Sequence, residues 1–319
     1  MNRIPLWIAL LSFGLGCQSP PTPASEEASS ATAIPRAQAL ILQQPFAYDD
    51  TDKNRVDGPY TPQQSLTIPP NLAPQNKWIM FEGPVLENDR IAYRFYADTR
   101  HRYDIYAKSV EDLVMDTVSW NYHDIMNWGS DVLKVGNSLG IGSPAIWCQD
   151  SLYTFSVSGK KEISILSSGP DTATLRTTFT DLIIGTDTLD LQQDWSLIAG
   201  QYASHIHLKV TQGSLPEGAT FATGIVAHMP EAYLDSTEKQ LCLFTWGDQS
   251  FHGDLLGMGV MADRSWGPVP VADELSHAWA FSEATTEVSY AFLAAWEKGM
   301  EPMTSLEAFR TLLLTEAKK

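Results

Sequence analysis

The stretch from Asn88 to Gly142 interleaves aromatic residues, charges and glycines without amphipathic order. It is introduced by Glu87-Asn88-Asp89-Arg90-Ile91-Ala92-Tyr93-Arg94-Phe95-Tyr96, passes through Trp120-Asn121-Tyr122-His123-Asp124 and continues from Trp128 to Gly140. Arg90, Arg94, Arg100, Arg102, Lys108 and Lys134 concentrate cations there in a chain otherwise poor in them. One use for them is to neutralise local acids, Asp104, Asp124 and Asp131 among them. The other is a carboxylate-binding cleft floored by aromatics, because a guanidinium recognises a carboxylate bidentately and Trp or Tyr faces stack on sugar rings. On that reading Arg94, Arg100 and Lys134 bind the anion, Trp128 is a platform, and Tyr122 and His123 are acid–base groups suited to neutral pH. Gly136-x-x-x-Gly140 lacks the Lys-Ser/Thr of a phosphate loop and reads as tight-turn glycine.

A second imidazole pair lies in the run Ser204–Thr211. His205, His207 and Lys209 share one face of a strand there, opposite Ile206, Leu208 and Val210. A solvated sheet face, an acid–base site and a metal site all accommodate two histidines at that spacing. No third ligand follows from the spacing, so neither a metal nor another cofactor is expected.

The elements that must position these groups are short strands. Runs of strand length, from Lys77–Glu82 and Arg90–Ala97 through Ser204–Thr211 to Glu287–Ala291, recur about every ten residues with turn residues between them. The 21 Gly, 19 Pro, 10 Trp, 11 Tyr and 12 Phe point the same way, away from a helical bundle. Spacing of this kind predicts an all-β, antiparallel sandwich or closed sheet. Only Ser305–Ala317 has a helical signature, with Thr304 or Ser305 as cap and Leu306, Phe309, Leu312 and Leu313 on one stripe. At 319 residues, 44% hydrophobic and 18% charged, the chain can bury a large core. Its formal charge of −17, from 21 Lys and Arg against 38 Asp and Glu, excludes the usual basic nucleic-acid footprint.

The first residues read as an export signal. Arg3 precedes the apolar run Ile4–Leu15, which is too short for a permanent membrane span, and Leu15-Gly16-Cys17 resembles a bacterial lipoprotein cleavage box. Residues 1–17 are therefore expected to be a lipoprotein signal peptide. Cys17 would be the lipidated residue that holds the protein to the cell envelope. The Pro-, Ser- and Ala-rich residues 18–44 read as a tether and residues 45–319 as one domain. Cys148 and Cys242 are the other two cysteines, enough for at most one disulfide.

The segments Glu87–Tyr96 and Tyr122–Gly140, on a lipoprotein-like chain of this length, resemble the Bacteroidota family known as domain of unknown function 4861, over roughly residues 77 to 319. The resemblance implies an exported protein of polysaccharide utilisation. It also implies a sandwich like the galactose-mutarotase and lyase super-sandwich folds, and relatives linked to breakdown of uronate-containing oligosaccharides. Its partner would be an acidic oligosaccharide or polysaccharide, with the membrane met only through the lipid. The chemistry implied is β-elimination by a carbon–oxygen lyase or dehydratase. A cation such as Arg94, Lys134 or Arg100 neutralises the uronate carboxylate, a base removes the C5 proton and an acid protonates the departing C4 oxygen. Tyr122, His123, His205 and His207 are the candidates for the last two roles. An aldose epimerase or mutarotase-like enzyme, a surface glycan-binding lipoprotein and a hydrolase with paired carboxylates are the alternatives.

Overall fold

The computed structural model describes residues 36–319. The expected signal peptide, Cys17 and the first part of the expected tether lie outside the described residues. Strand pairing begins at Ala37 rather than at residue 45, because Ala37–Leu40 pairs with Val85–Asn88 and buries Ala37 and Ala39.

Three sheets account for most of the chain. An N-terminal five-stranded sheet has the order Ala37–Leu40, Val85–Asn88, Ile91–Phe95, Tyr103–Lys108, Gly129–Asp131. A second has the order Ser151–Thr154, Ala145–Cys148, Thr220–Val226, Ser276–Phe281, Pro268–Val271. The nine-stranded sheet runs from Tyr233–Ser236 at one edge to Ser65–Ile68 at the other. Its centre is formed by Glu287–Trp296, Ser204–Gln212, Asp187–Ile198 and Thr172–Ile184. Neighbouring strands in the three sheets pair antiparallel. The protein is thus an all-β antiparallel sandwich with one C-terminal helix.

The core is aromatic where the sheets meet. Phe95 and Tyr103 of the N-terminal sheet pack on Trp195 of the nine-stranded sheet, with ring centroids 5.8 Å and 4.8 Å away. Tyr93 meets Phe292 edge-on at 5.0 Å. Phe281 of the second sheet stacks on Tyr290 at 5.6 Å. These contacts fix which way each strand faces. Ile91, Tyr93 and Phe95 point inward, so Ala92 and Arg94 point outward; Trp195 and Ile206 point inward, so Asp194, His205 and His207 point outward.

The two outer faces differ. Thr172–Ile184 and Asp187–Ile198 alternate between buried and more exposed positions, as one-sided strands do. Ile91–Phe95 and Tyr103–Lys108 are buried at every position. Residues 109–128 and the turn near Phe81 cover the second face of that sheet, contributing Met80, Phe81, Met115 and Tyr122 to a cluster with Ala92 and Tyr106. Gly129 lets this cover return to the sheet: its φ is +133°, and an added Cβ would collide with the Ala107 carbonyl.

One expectation is corrected here, and the state of the two cysteines is fixed. Lys77–Glu82 is not a strand, because Met80–Glu82 forms a 3-10 turn in which Phe81 and Glu82 both have φ of +62°. Cys148 and Cys242 are both free and buried, on different sheets. The helix spans Leu306–Glu316, with the Ser305 hydroxyl accepting from the Ala308 N–H. Phe309 docks over Gly257, where any Cβ would strike its ring.

Candidate functional site

The covered face of the N-terminal sheet holds a buried ion cluster. Register sets Arg94 opposite Asp104 and Tyr106 opposite Asp131, so these side chains share the outer face. Arg94 Nη2 donates to Asp104 Oδ2 at 2.7 Å, to Asp131 Oδ2 at 2.8 Å and to the Tyr96 hydroxyl at 2.7 Å. Its Nη1 donates to the Phe81 carbonyl at 3.1 Å and to the Tyr122 hydroxyl at 3.2 Å. Tyr96 in turn donates to Asp104 at 2.7 Å. Arg94, Asp104 and Asp131 are each 1% exposed.

This arrangement settles a conflict between burial and charge. A guanidinium out of water needs its donors satisfied and its charge matched. The left-handed backbone at Phe81 and Glu82 is part of the solution, since it turns the Phe81 carbonyl onto Arg94. Beside the cluster, the Arg100 guanidinium lies 3.7 Å from the Tyr96 ring centroid and is paired with Asp98 and Glu82.

His123 is where the cluster meets solvent. Its side chain is 51% exposed and its Nδ1 lies 3.4 Å from Asp131 Oδ2. The ring packs 4.5 Å from Tyr122 and stacks on Phe251 at 5.4 Å. Next to Phe251, His252 Nε2 lies 2.8 Å from the Ser130 hydroxyl. Trp296 follows at 6.3 Å from His252, with Lys298 over its ring and paired with Asp254. His123, Phe251, His252, Trp296 and Lys298 thus form a chain of contacts.

Burial, and then the neighbouring Asp104 carboxylate, hold the Asp131 carboxyl well above the usual range, so it keeps a proton more readily than a free aspartate. Burial and Arg94 push the His123 imidazole down, against the opposing pull of Asp104, Glu82 and Asp124. Burial raises the Tyr122 phenol, which stays protonated at neutral pH. The half-exposed imidazole therefore favours its neutral form, and the buried carboxyl behind it favours its protonated form. The imidazole can accept one proton and has another close by.

The sequence-derived candidates separate into distinct places. Arg94 is not open to a substrate carboxylate, because Asp104 and Asp131 already occupy it. Arg100 is matched by its own two acids. The Tyr122 hydroxyl is engaged by Arg94, so this residue orients His123 by ring packing. Trp128 is partly buried, 6.2 Å and edge-on to Tyr106. Lys134 is exposed, and its carbonyl lies 2.8 Å from His228 Nε2. His205 and His207 lie across the sandwich from His123, on the outer face of the nine-stranded sheet. They do not converge on a metal site: no group of three or more His, Cys, Asp or Glu side chains suited to a metal occurs among the described residues.

Of the two uses that the sequence leaves open for Arg94, the structure shows the pairing with local acids, Asp104 and Asp131, and nothing in the sequence signals that Asp131 also touches His123. For the pairing, the signal was the alternation of Arg94 with Tyr93 and Phe95, but matching it with Asp104 needs the register of the hairpin. Phe251 and His252 lie in a loop and carried no pattern.

Comparison with known proteins adds a family and one structural likeness. Residues 23–319 match the family described as "Domain of unknown function (DUF4861)". No curated protein matches the chain. Among solved structures the chain is similar to "a putative aldose 1-epimerase from Klebsiella pneumoniae subsp. pneumoniae MGH 78578", with a TM-score of 0.36 and 7% identity, over 88% of this chain and 95% of that chain.

Proposed function

We propose that this chain, which belongs to the family described as "Domain of unknown function (DUF4861)", is a carbohydrate-acting acid–base enzyme. The reaction we assign is β-elimination on uronate-containing oligosaccharides, by a carbon–oxygen lyase or dehydratase. The observation that carries this reading is the half-exposed His123 imidazole at 3.4 Å from a buried Asp131 that favours its protonated form. Neutral His123 takes the C5 proton on its solvent-facing edge. The freed electron pair forms the C4=C5 bond, the C4–O bond breaks, and the departing oxygen takes up the proton that His123 removed, leaving as water or as a sugar hydroxyl. Phe251, stacked on His123, offers the apolar face of a sugar ring a surface. With Arg94 and Arg100 matched by their own acids, the cation for the carboxylate is the exposed Lys134.

A second reading, an aldose epimerase, is favoured by the closure of Arg94. Opening and reclosing a sugar ring at its anomeric carbon needs an acid and a base but no cation for a substrate carboxylate. One experiment separates the readings: incubation with uronate oligosaccharides and with neutral aldoses, following ultraviolet absorbance of unsaturated product, product mass and anomer ratio by NMR. Elimination gives absorbance that His123→Ala removes. Anomer interconversion without absorbance installs the epimerase, and binding without either change leaves a glycan-binding protein. The lipid anchor at Cys17 and the place in polysaccharide utilisation at the cell envelope are parts of the same proposal. Lipid labelling that survives Cys17→Ala would remove the anchor.

A further inference from the structure

The outer face of the nine-stranded sheet holds a cavity that the His123 centre does not use. Register aligns Arg176, Asp194, His207 and Ser289 in one row across four strands, and Ser196, His205, Ala291 and Met261 in the next. Small side chains at Ser196 and Ala291 leave a depression between them. Trp266, from the 3-10 turn Arg264–Trp266, and the end of the C-terminal helix at Glu316 and Ala317 also line it. The depression encloses about 370 Å³, within the range of small-molecule sites, roughly 300–1,000 Å³.

Its polar groups select the chemistry of an occupant. Asp194 is held bidentately by Arg176, with both contacts at 2.7 Å. Glu316 accepts from the Ala203 N–H and from Lys319. Asp263 accepts from the Ser265 N–H and hydroxyl, which hold its carboxyl below the usual range and leave it ionised. These acids disfavour an anion, and the nearby Arg176 and Lys319 charges are matched. His207 Nδ1 lies 2.9 Å from the Ser289 hydroxyl. His205 Nε2 is buried with no partner, an unmet hydrogen bond in a cavity otherwise lined by groups that exchange them.

We propose that this cavity is a binding site for a neutral sugar residue, separate from the His123 centre. The carboxylates, imidazoles, serines and Gln240 match the alternating donors and acceptors of a pyranose, and the Trp266 indole its apolar face. His205 and His207, two residues apart on one strand, thereby act as hydrogen-bonding groups for a ligand.

The test is calorimetric titration of the full-length protein with cellobiose, xylobiose, galactobiose and mannobiose, with a glucuronic acid disaccharide alongside. Wild type is expected to bind at least one neutral disaccharide, with affinity reduced tenfold or more in Trp266→Ala and in His207→Ala and unchanged in His123→Ala. His207 is partly exposed, so its variant reports even if loss of the indole disturbs folding. The proposal is overturned if no neutral disaccharide binds at millimolar concentration, if binding survives both cavity variants, or if His123→Ala abolishes it.

Discussion

On the outer face of the N-terminal sheet Arg94 meets Asp104 and Asp131 at 1% exposure, whereas on the outer face of the nine-stranded sheet Arg176 meets Asp194 with 36% and 24% of the side chains in water. The ion pairs are chemically alike, and what differs is the cover. Residues 109–128 and the turn at Phe81 exclude water from the first pair, so every donor of Arg94 needs a protein partner: a carbonyl, two phenols and two carboxylates. Nothing comparable surrounds Arg176, where solvent supplies the remaining hydrogen bonds. Covering a charge pair turns a minor contact into a constraint on backbone, proton state and neighbouring side chains. His123 inherits that constraint because it stands where the cover opens.

The sharpest way to break this comparison is Arg94→Ala. Removing one partner of a buried pair leaves the other charged and unmatched, at a cost of about 3–5 kcal/mol. Urea unfolding should show a loss of that size, and activity should fall with it. A loss under about 1 kcal/mol would mean that water reaches the cluster and that the two faces are equivalent.

Sequence reading succeeded unevenly for the same physical reason. Alternation in Thr172–Ile184 and Asp187–Ile198 is legible because one face meets water and the other the core. Ile91–Phe95 and Tyr103–Lys108 have both faces covered, so the pattern alone leaves open whether Arg94 matches local acids or meets a substrate. Nothing local announces that residues 109–128 fold over it. The helix at Leu306–Glu316 was legible from its cap and stripe. The contact between His123 and Asp131 was not, since it depends on how a loop returns to a strand.

His123→Ala tests the exposed end of the cluster. Loss of a positioned acid–base group lowers turnover by about 10²–10⁴-fold. A half-exposed side chain should leave stability within about 0.5 kcal/mol of wild type. Turnover on the substrate found for the wild type, paired with urea unfolding, distinguishes this from Arg94→Ala, which should lose both. Full turnover in a folded His123→Ala protein would remove the catalytic assignment.

Asp131→Asn sharpens the comparison through pH. Burial and Asp104 raise the folded-state pKa of Asp131 above that of the unfolded chain. Below the unfolded value, about 3.9, both states hold the proton. As pH rises from there, the unfolded chain ionises first, so wild type loses stability until pH passes the folded value. Asparagine does not titrate, so the stability of Asp131→Asn relative to wild type should climb with pH over that window and then level off. The depressed His123 works in the opposite sense, with stability lost as pH falls through its folded value, and it is common to both proteins. Tm measured against pH would show the rising difference; a flat difference would mean that Asp131 titrates alike in the folded and unfolded chain.

Arg176→Ala should produce the smallest change, and that smallness is what the comparison requires. Its bidentate geometry on Asp194 is as good as that of any buried pair, with both contacts at 2.7 Å. Geometry alone would therefore rank it beside Arg94. Water, however, already solvates both groups, screens their attraction and takes up the hydrogen bonds that the substitution frees, so such pairs contribute about 0–1 kcal/mol. The residual effect should shrink further in 1 M salt, where the Debye length is about 3 Å. The Arg94 cluster, shielded by its cover, should respond little to the same salt. Urea unfolding of Arg176→Ala at low and high salt reads both quantities. A loss approaching that of Arg94→Ala, insensitive to salt, would mean that geometry rather than cover governs these pairs.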